Sequence, residues 1–342
     1  MLGPRRRGLE QTRKADMRIG LNTDSLATLS LDEALDTAAA LGIETIELST
    51  GNWSNAPHAD LDNLLNSAAS RRELTERIES RGLTLEAFNC SGNPLHPGEE
   101  GRRHDVVTRK TIELAAEMSV ERIVLMSGCP AAPGDSYPNW ITVAWPPYTK
   151  DILDYQWNDV LIPYWTDLVK HATEHDVGQL CLEMHGHQNV YSPATLLRLR
   201  EAVGPVVGAN FDPSHLMWMG ADVIAAVEAL NGAIHHVHAK DTRIERGRIG
   251  ANTALETASF ADPGARSWNF VTMGYGHDED FWRRFMVALR RAGFDGVLSI
   301  EHEDMLVDPV EAVEKTVDLL RRTGFTKPVA VAETAARFGI EV

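Results

Sequence analysis

The stretch QLCLEMHGH, residues 179–187, contains a short apolar run typical of a buried β-strand, and that run ends on the carboxylate of Glu183. Three later runs end in the same manner: GANFDPSHL (208–216) on Asp212, IHHVHAKDT (234–242) on His238, and VLSIEHED (297–304) on Glu301. Parallel strands of a barrel direct their carboxyl ends to the face where such proteins build their sites. Four endings of this kind therefore predict one shared polar site.

Side chains alternate along a strand, so each strand can present further polar groups on the face of the first. The groups that share a face are Glu183 with His185, His238 with His236 and Lys240, and Glu301 with Ser299 and Glu303. Three carboxylates and one imidazole form a hard, oxygen-rich donor set. Such a set suits Mn²⁺, Mg²⁺ or Co²⁺ better than a structural zinc held by thiolates. We therefore predict a catalytic metal, Mn²⁺ in the first place, bound by Glu183, Asp212, His238 and Glu301.

Eight strand-like runs recur between residues 17 and 322, with helical patterns between them. The predicted strands are 17–24, 43–49, 84–91, 122–127, 179–185, 208–212, 235–240 and 297–301. Regular alternation of strands and helices is typical of a parallel sheet, and eight repeats indicate a closed (β/α)8 TIM barrel. A chain of 342 residues is long enough for one such barrel with added loops.

Two long stretches interrupt the alternation, and both follow the carboxyl end of a strand. We predict a catalytic domain at 17–322 with insertions at about 130–165 and 243–280, a disordered N-terminal extension at 1–16, and a C-terminal extension at 323–342. The first insertion carries four tryptophans, Trp140, Trp145, Trp157 and Trp165. These rings either stack on a sugar or aglycone, or anchor the loop and an interface with a partner. A homo-oligomer or a complex with a protein partner is therefore expected.

The composition excludes several classes of protein. A net charge of −16 disfavours binding to nucleic acid or to an anionic membrane. The basic segment 1–16 has no apolar stretch, so it is neither a signal peptide nor a membrane span. Three cysteines without a CxxC pair suggest reduced thiols and a cytoplasmic location. The chain has no GxxxxGK[ST] or GxGxxG loop, so a nucleotide cofactor is not indicated.

Residues 17–322 resemble the sugar-phosphate isomerase/epimerase superfamily, the xylose-isomerase-like TIM barrels. The motifs that carry the resemblance are NFDPSHLMWMG, HVHAKDT, GYGHDEDFW and SIEHED. The resemblance implies the same metal set, Glu183, Asp212, His238 and Glu301, and it also implies that Glu47 and Asn22 contact sugar hydroxyls. The tryptophan-rich insertion and the Glu-x-His of the fifth strand further resemble the catalytic α-subunits of C-glycoside deglycosidases, which act on 3-oxo-glycosides with a smaller β-subunit.

Other polar groups near the predicted ligands have more than one interpretation. His215 orients a ligand or the substrate, or satisfies a backbone carbonyl. His236 supports a ligand or the substrate, or belongs to the core. Lys240 binds a hydroxyl, phosphate or oxyanion, or pairs with Asp241 or Glu301.

Three functions remain open. The leading one is a metal-dependent lyase that removes a proton beside a carbonyl and eliminates the aglycone of a 3-oxo-glycoside, with His185 as the base. The second is a ketose epimerase or aldose-ketose isomerase, in which the resemblance implies proton exchange by Glu183 and Glu301. The third is a sugar-binding subunit without catalytic activity.

Overall fold

The computed structural model describes residues 17–325, 327 and 335–340. The extension predicted at 1–16 lies outside these residues, as does half of the one predicted at 323–342. Eight parallel strands form a closed barrel in the order β1-β10-β7-β6-β5-β4-β3-β2, which confirms the predicted TIM barrel. The barrel strands are β1 (Arg18–Asn22), β2 (Thr45–Ser49), β3 (Thr84–Asn89), β4 (Arg122–Met126), β5 (Gln179–Glu183), β6 (Val207–Phe211), β7 (Ile234–Ala239) and β10 (Val297–Ile300).

Helices connect consecutive strands and pack around the barrel. They are α1 (Leu31–Ala40), α2 (Leu61–Asn66), α3 (Ala68–Glu79), α4 (Glu99–Met118), α5 (Tyr148–Tyr155), α6 (Ile162–Glu174), α7 (Pro193–Val203), α8 (Pro213–Trp218), α9 (Val223–Ala229), α10 (Arg246–Asn252), α11 (Glu279–Arg291) and α12 (Pro309–Thr323). Local sequence explains several starts: Ser30 and Glu33 form a capping box on α1, and Asp278 caps α11 through the backbone N–H of Phe281.

Strand β5 ends at Glu183, two residues earlier than predicted. His185 therefore lies in the loop beyond the strand, where its backbone N–H donates to the carbonyl of Val190. Strand alternation does not fix the direction of this imidazole; the loop does. The first strand likewise ends at Asn22, because Asn22 caps a 3₁₀ turn at Thr23–Leu26.

The insertion after β4 is anchored in the core rather than fully exposed. It contains α5 and a π-helical segment (Gln156–Leu161) that continues into α6. Trp157 and Trp165 are completely buried, and the indole of Trp165 donates to the carbonyl of Ser127 at 2.9 Å. Two of the four tryptophans therefore anchor the loop, whereas Trp145 is exposed.

The insertion after β7 forms an antiparallel hairpin, β8 (Asp241–Ile244) with β9 (Trp268–Val271). The ring of Trp268 stacks on Trp218 of α8, with centroids 4.8 Å apart and planes 5° apart. This stacking holds the hairpin over the carboxyl end of the barrel. No helix within the described residues combines the length and apolar composition needed to cross a bilayer.

The three cysteines, Cys90, Cys129 and Cys181, are buried and unpaired, in agreement with the prediction of free thiols. Burial raises the pKa of each thiol to about 12. The protonated thiols are therefore poor nucleophiles and poor metal ligands at neutral pH.

Candidate metal centre

The four predicted metal ligands meet at the carboxyl end of the barrel. Glu183 ends β5, Asp212 directly follows β6, His238 is next to last in β7, and Glu301 directly follows β10. These strands are neighbours in the order β5, β6, β7, β10. The structure thus brings the four side chains together because each occupies an equivalent height at the end of adjacent strands.

The donor atoms are close enough to share one ion. One donor atom from each of the four side chains lies within 4.8 Å of the other three. The Nδ1 atom of His238 is 3.2 Å from an oxygen of Glu183 and 3.2 Å from an oxygen of Glu301. Ligand atoms held at about 2.1 Å from one ion are separated by roughly 3 to 4 Å, which matches these distances.

Two of these donor atoms have no hydrogen-bond partner in the protein. Within the described residues, Nδ1 of His238 and Oδ2 of Asp212 are buried and make no hydrogen bond. Buried polar atoms almost always have partners, so both atoms are available to coordinate a cation at this point. The donor set and its geometry therefore fit a divalent cation.

Glu47 supports His238 from below the site and does not line the open cavity, which differs from the sugar contact expected for it. Nε2 of His238 lies 3.1 Å from Oε1 of Glu47, and a carboxylate only accepts, so Nε2 carries the proton. When His238 is neutral, its lone pair is thereby kept on Nδ1, which faces the other predicted ligands. Such carboxylate–histidine pairs orient metal-binding imidazoles.

His236 belongs to the same supporting layer and is also absent from the cavity wall. Its Nε2 donates to Oε2 of Glu47 at 2.9 Å, Ser299 donates to the same oxygen at 2.8 Å, and Asn89 donates to Oε1 at 2.8 Å. Glu47 is thus fixed by four donors. Burial opposes its charge, but the His238 charge and the hydrogen bonds from both imidazoles hold the pKa of Glu47 well below its usual range.

Substituting Glu47 by glutamine is expected to weaken metal affinity about 10- to 100-fold. The amide N–H₂ group would face hydrogen-bond donors, and the side chain would no longer hold His238 in its orientation. Titration calorimetry with Mn²⁺ measures the change.

Glu86→Gln is the matched control: Glu86 binds Arg18 and Arg122, both at 2.7 Å, near the amino-terminal ends of their strands. It should lower the melting temperature but leave affinity within about twofold. Equal affinities for a folded Glu47→Gln protein and the wild type would refute this role.

Positive groups surround the carboxylates. Nε2 of His215 lies 3.1 Å from Glu183 and 3.3 Å from Asp212, and Nζ of Lys240 lies 3.0 Å from Glu301 and 2.5 Å from Glu303. Burial opposes protonation, but the Asp212 charge and the close contacts with both carboxylates raise the pKa of His215 to about 9. Glu301 and Glu303 likewise raise the pKa of Lys240 well above its usual value. The site is built to balance negative charge, which a divalent cation would also do.

A cavity of about 270 Å³ opens directly above the ligands. Besides Glu183 and Glu301, four further predicted site residues line it, namely Asn22, His185, His215 and Lys240. Nδ2 of Asn22 donates to Glu301 at 3.3 Å, so this amide contacts a ligand as well as the cavity. The volume is below the range of about 300 to 1,000 Å³ for pockets that hold drug-sized molecules. It suits a small polar compound.

His185 forms part of the cavity wall beside Glu183. Its ring centroid lies 4.0 Å from that of His215. Its Nδ1 contacts the carbonyl of Gly186, which accepts only, so the proton is on Nδ1 and the lone pair is on Nε2. Burial and then the charge of His215 lower the pKa of His185 to about 4. The imidazole is therefore neutral at physiological pH, and a weaker base than an exposed one.

Two aromatic residues at the site were not predicted. Trp53, four residues after β2, lines the cavity, with its ring centroid 6.5 Å from that of His185. Phe270, on the hairpin strand β9, lies 4.3 Å from Nζ of Lys240 and 5.3 Å from the ring of His215. Both residues follow barrel strands in sequence, and that position is the one signal that could have identified them.

Comparison with known proteins agrees with this fold. Residues 35–323 match the Xylose isomerase-like TIM barrel family. The uncharacterized protein YfiH of Bacillus subtilis (strain 168) is 50% identical over 310 residues, which cover 90% of this chain and 99% of that protein.

Two solved structures share the architecture at low sequence identity. L-ribulose 3-epimerase has a TM-score of 0.59 and 17% identity, covering 94% of this chain and 97% of that chain. The probable 3-DHS dehydratase AsbF of Bacillus anthracis, involved in petrobactin synthesis, has a TM-score of 0.62 and 16% identity, covering 89% of this chain and 99% of that chain. At these identities the likeness concerns the fold.

Proposed function

Because the chain belongs to the xylose isomerase-like TIM barrel family, we propose that it is a divalent-metal-dependent enzyme that removes a proton from the carbon next to the carbonyl group of a carbohydrate. The observation that carries the proposal is the cluster of Glu183, Asp212, His238 and Glu301 beneath a small polar cavity. Two structural neighbours, an epimerase and a probable dehydratase, support it, since both act on small oxygenated compounds.

Mn²⁺ is the ion that we assign to the site, with Mg²⁺ or Co²⁺ as alternatives. Three carboxylates favour a hard ion, and one imidazole extends the preference to Mn²⁺ and Co²⁺. When bound, the ion polarises the carbonyl and stabilises the negative charge that develops on its oxygen as the proton leaves. The remaining steps depend on the side chains of this chain.

Epimerisation or isomerisation of a free ketose or aldose is the reaction best supported. Such a reaction needs groups that take a proton and return it at a neighbouring position or on the opposite face. Glu183 and Glu301 end strands that are separated in the barrel by β6 and β7, so their carboxylates reach the centre from two directions. The Glu301 side chain is 18% exposed to the cavity, whereas the Asp212 and His238 side chains are fully buried. Glu301 is therefore the ligand most open to substrate.

The cavity also supports a substrate the size of a monosaccharide. Its volume of about 270 Å³ leaves little room for a large aglycone beside the sugar. Asn22, His215 and Lys240 supply donors to hydroxyl groups, and the indole ring of Trp53 offers an apolar wall.

Elimination from a 3-oxo-glycoside is the second candidate, and His185 is the observation that favours it. In this reaction Nε2 of His185 takes the proton from C2 and a C1–C2 double bond forms. The bond from C1 to the aglycone then breaks, and the aglycone leaves with the electron pair. The neutral imidazole is available for this step, although burial weakens it as a base.

A substrate screen distinguishes the candidates. Protein loaded with Mn²⁺ is incubated with pentuloses, hexuloses and 3-oxo-glucosides, and products are separated by chromatography and identified by mass spectrometry. We expect a new sugar of unchanged mass from at least one ketose, lost on chelation and restored by Mn²⁺. Release of an aglycone would instead support elimination. A fully metal-loaded protein that changes none of these compounds would contradict the proposed function.

A protein partner remains a prediction. Tyr137, Val143, Trp145 and Tyr148 of the insertion after β4 are exposed. Exposed apolar side chains of this kind often mark an interface, so a homo-oligomer or a small β-subunit is still expected.

A further inference from the structure

Three side chains of the kinds that bind metals lie together outside the barrel, on helix α4 and at the carboxyl end of helix α6, where His175 is the C-terminal cap residue. They are Glu113, His171 and His175, and one donor atom from each lies within 4.8 Å of the other two. The two histidines belong to the sequence HATEH, in which a spacing of four residues places both imidazoles on one helix face. Their ring centroids are 4.4 Å apart. Helical histidines at this spacing are a known arrangement for binding zinc.

The hydrogen bonds of the cluster leave nitrogen lone pairs available. Nδ1 of His175 lies 2.9 Å from the carbonyl of His171, and because a carbonyl only accepts, Nδ1 carries the proton and Nε2 carries the lone pair. In most metal-bound histidines, the ring nitrogen that does not bind the metal donates a hydrogen bond of this type, which fixes the tautomer.

The Nε2 atom of His171 provides an independent observation. This atom is buried and makes no hydrogen bond to any described residue. The nearest carboxylate oxygen, Oε1 of Glu113, is 4.0 Å away, too far for a hydrogen bond but close to the spacing of two ligands on one ion. The Glu113 side chain is 46% exposed, so its carboxylate can move by the few tenths of an ångström that coordination needs.

We propose that Glu113, His171 and His175 form a second metal site that takes a borderline transition-metal ion, with Zn²⁺ as its main occupant. Two imidazoles and one carboxylate suit Zn²⁺, Ni²⁺ or Cu²⁺, whereas the oxygen-rich set in the barrel suits harder ions. Three protein ligands leave a fourth position for water in tetrahedral geometry.

The position of the cluster indicates what the ion does. Helices α4 and α6 lead into β4 and β5, and all three residues lie in the last turns before those strands, at the amino-terminal end of the barrel. That end is opposite the central site, the cluster of Glu183, Asp212, His238 and Glu301. Side chains at the amino-terminal end of a barrel act mainly on stability. A bound ion links α4 to α6 and stabilises the folded chain by mass action.

The test is a count of Zn²⁺ ions per chain by equilibrium dialysis against micromolar Zn²⁺, with elemental analysis. We expect the wild-type chain to bind one Zn²⁺ ion more than His171→Ala, His175→Ala or Glu113→Gln. Glu174→Gln is the matched control, because Glu174 lies between the two histidines but pairs with Lys170, and it should bind as many ions as the wild type. Glu183→Gln should keep the second ion, since the two sites are separate.

Thermal unfolding provides a second readout that does not depend on activity. Addition of Zn²⁺ should raise the melting temperature of wild-type and Glu174→Gln protein more than that of the two histidine variants. Circular dichroism without Zn²⁺ confirms that these partly exposed substitutions leave the fold intact. Equal numbers of Zn²⁺ ions in wild-type protein and in both histidine variants would overturn the proposal.

Discussion

Four single substitutions are expected to remove the central metal and to lower turnover by about a thousandfold or more while the barrel stays folded: Glu183→Gln, Asp212→Asn, His238→Ala and Glu301→Gln. Each removes one donor from the cluster. The fold should survive, because the ligands lie at the strand ends and not in the packed layer between barrel and helices. Bound Mn²⁺ per chain, turnover and circular dichroism are measured on the same preparations.

Glu303→Gln is the control for these variants. Glu303 pairs with Lys240 at 2.5 Å, and its side chain is 51% exposed. It should keep a full complement of Mn²⁺, because its carboxylate is outside the four-donor set. Added Mn²⁺ should raise the melting temperature of wild-type and Glu303→Gln protein, and this shift should be absent or small in the four ligand variants. Full activity of any two ligand variants at limiting metal would contradict the assignment.

Removing the imidazole of His185 is expected to separate metal binding from catalysis. If the reaction is an elimination, His185→Ala keeps the metal but loses a factor of about 100 to 10,000 in kcat, because the proton acceptor is gone. If Glu183 and Glu301 exchange the proton instead, kcat should stay within about tenfold and KM should rise through loss of a cavity contact. Steady-state kinetics on the active substrate class measures both constants.

His187→Asn is the matched control for this experiment. His187 lies two residues further along the same loop, is exposed, and packs its ring 5.0 Å from that of Trp140. Asparagine tolerates the positive φ of 61° at this position. The control should retain both constants within about twofold, since its side chain does not line the cavity. Loss of bound Mn²⁺ in His185→Ala would show that His185 acts on the metal, and neither interpretation of its role would stand.

The fold and the convergence of the four proposed ligands could be predicted from the sequence because both depend on local patterns. Alternating strands and helices determine a parallel barrel, and a polar residue at the end of an apolar strand must lie at the barrel mouth. Glu183, Asp212, His238 and Glu301 all satisfy this rule. Their convergence needs no information about side-chain packing beyond the order of the strands.

The height of a side chain along the barrel axis could not be predicted in the same way. Glu47 and Asn22 are paired in the register of β1 and β2, yet Asn22 lines the cavity while Glu47 lies beneath the ligands. The register between β2 and β3 also shifts between Ile46 and Glu47. Depth depends on this register and on strand tilt, so the resemblance that implied a sugar contact for Glu47 gave no information on the layer in which its carboxylate lies.

Loop residues were predictable only by region. The sequence identified the insertion after β4 as rich in tryptophan, but it could not tell that Trp157 and Trp165 turn into the core. It equally could not select Trp53 or Phe270, because no periodic pattern governs the direction of side chains in loops.

Exchange of solvent deuterium into a sugar tests the central claim most directly. The metal-loaded protein is incubated in D₂O with a panel of ketoses and 3-oxo-glucosides, and deuterium at the carbon beside the carbonyl is followed by mass spectrometry and NMR. We predict incorporation into at least one sugar that stops when the metal is chelated, resumes with Mn²⁺ and is absent in Glu301→Gln. No incorporation above the uncatalysed rate by a protein that holds one Mn²⁺ at its central site would contradict the account.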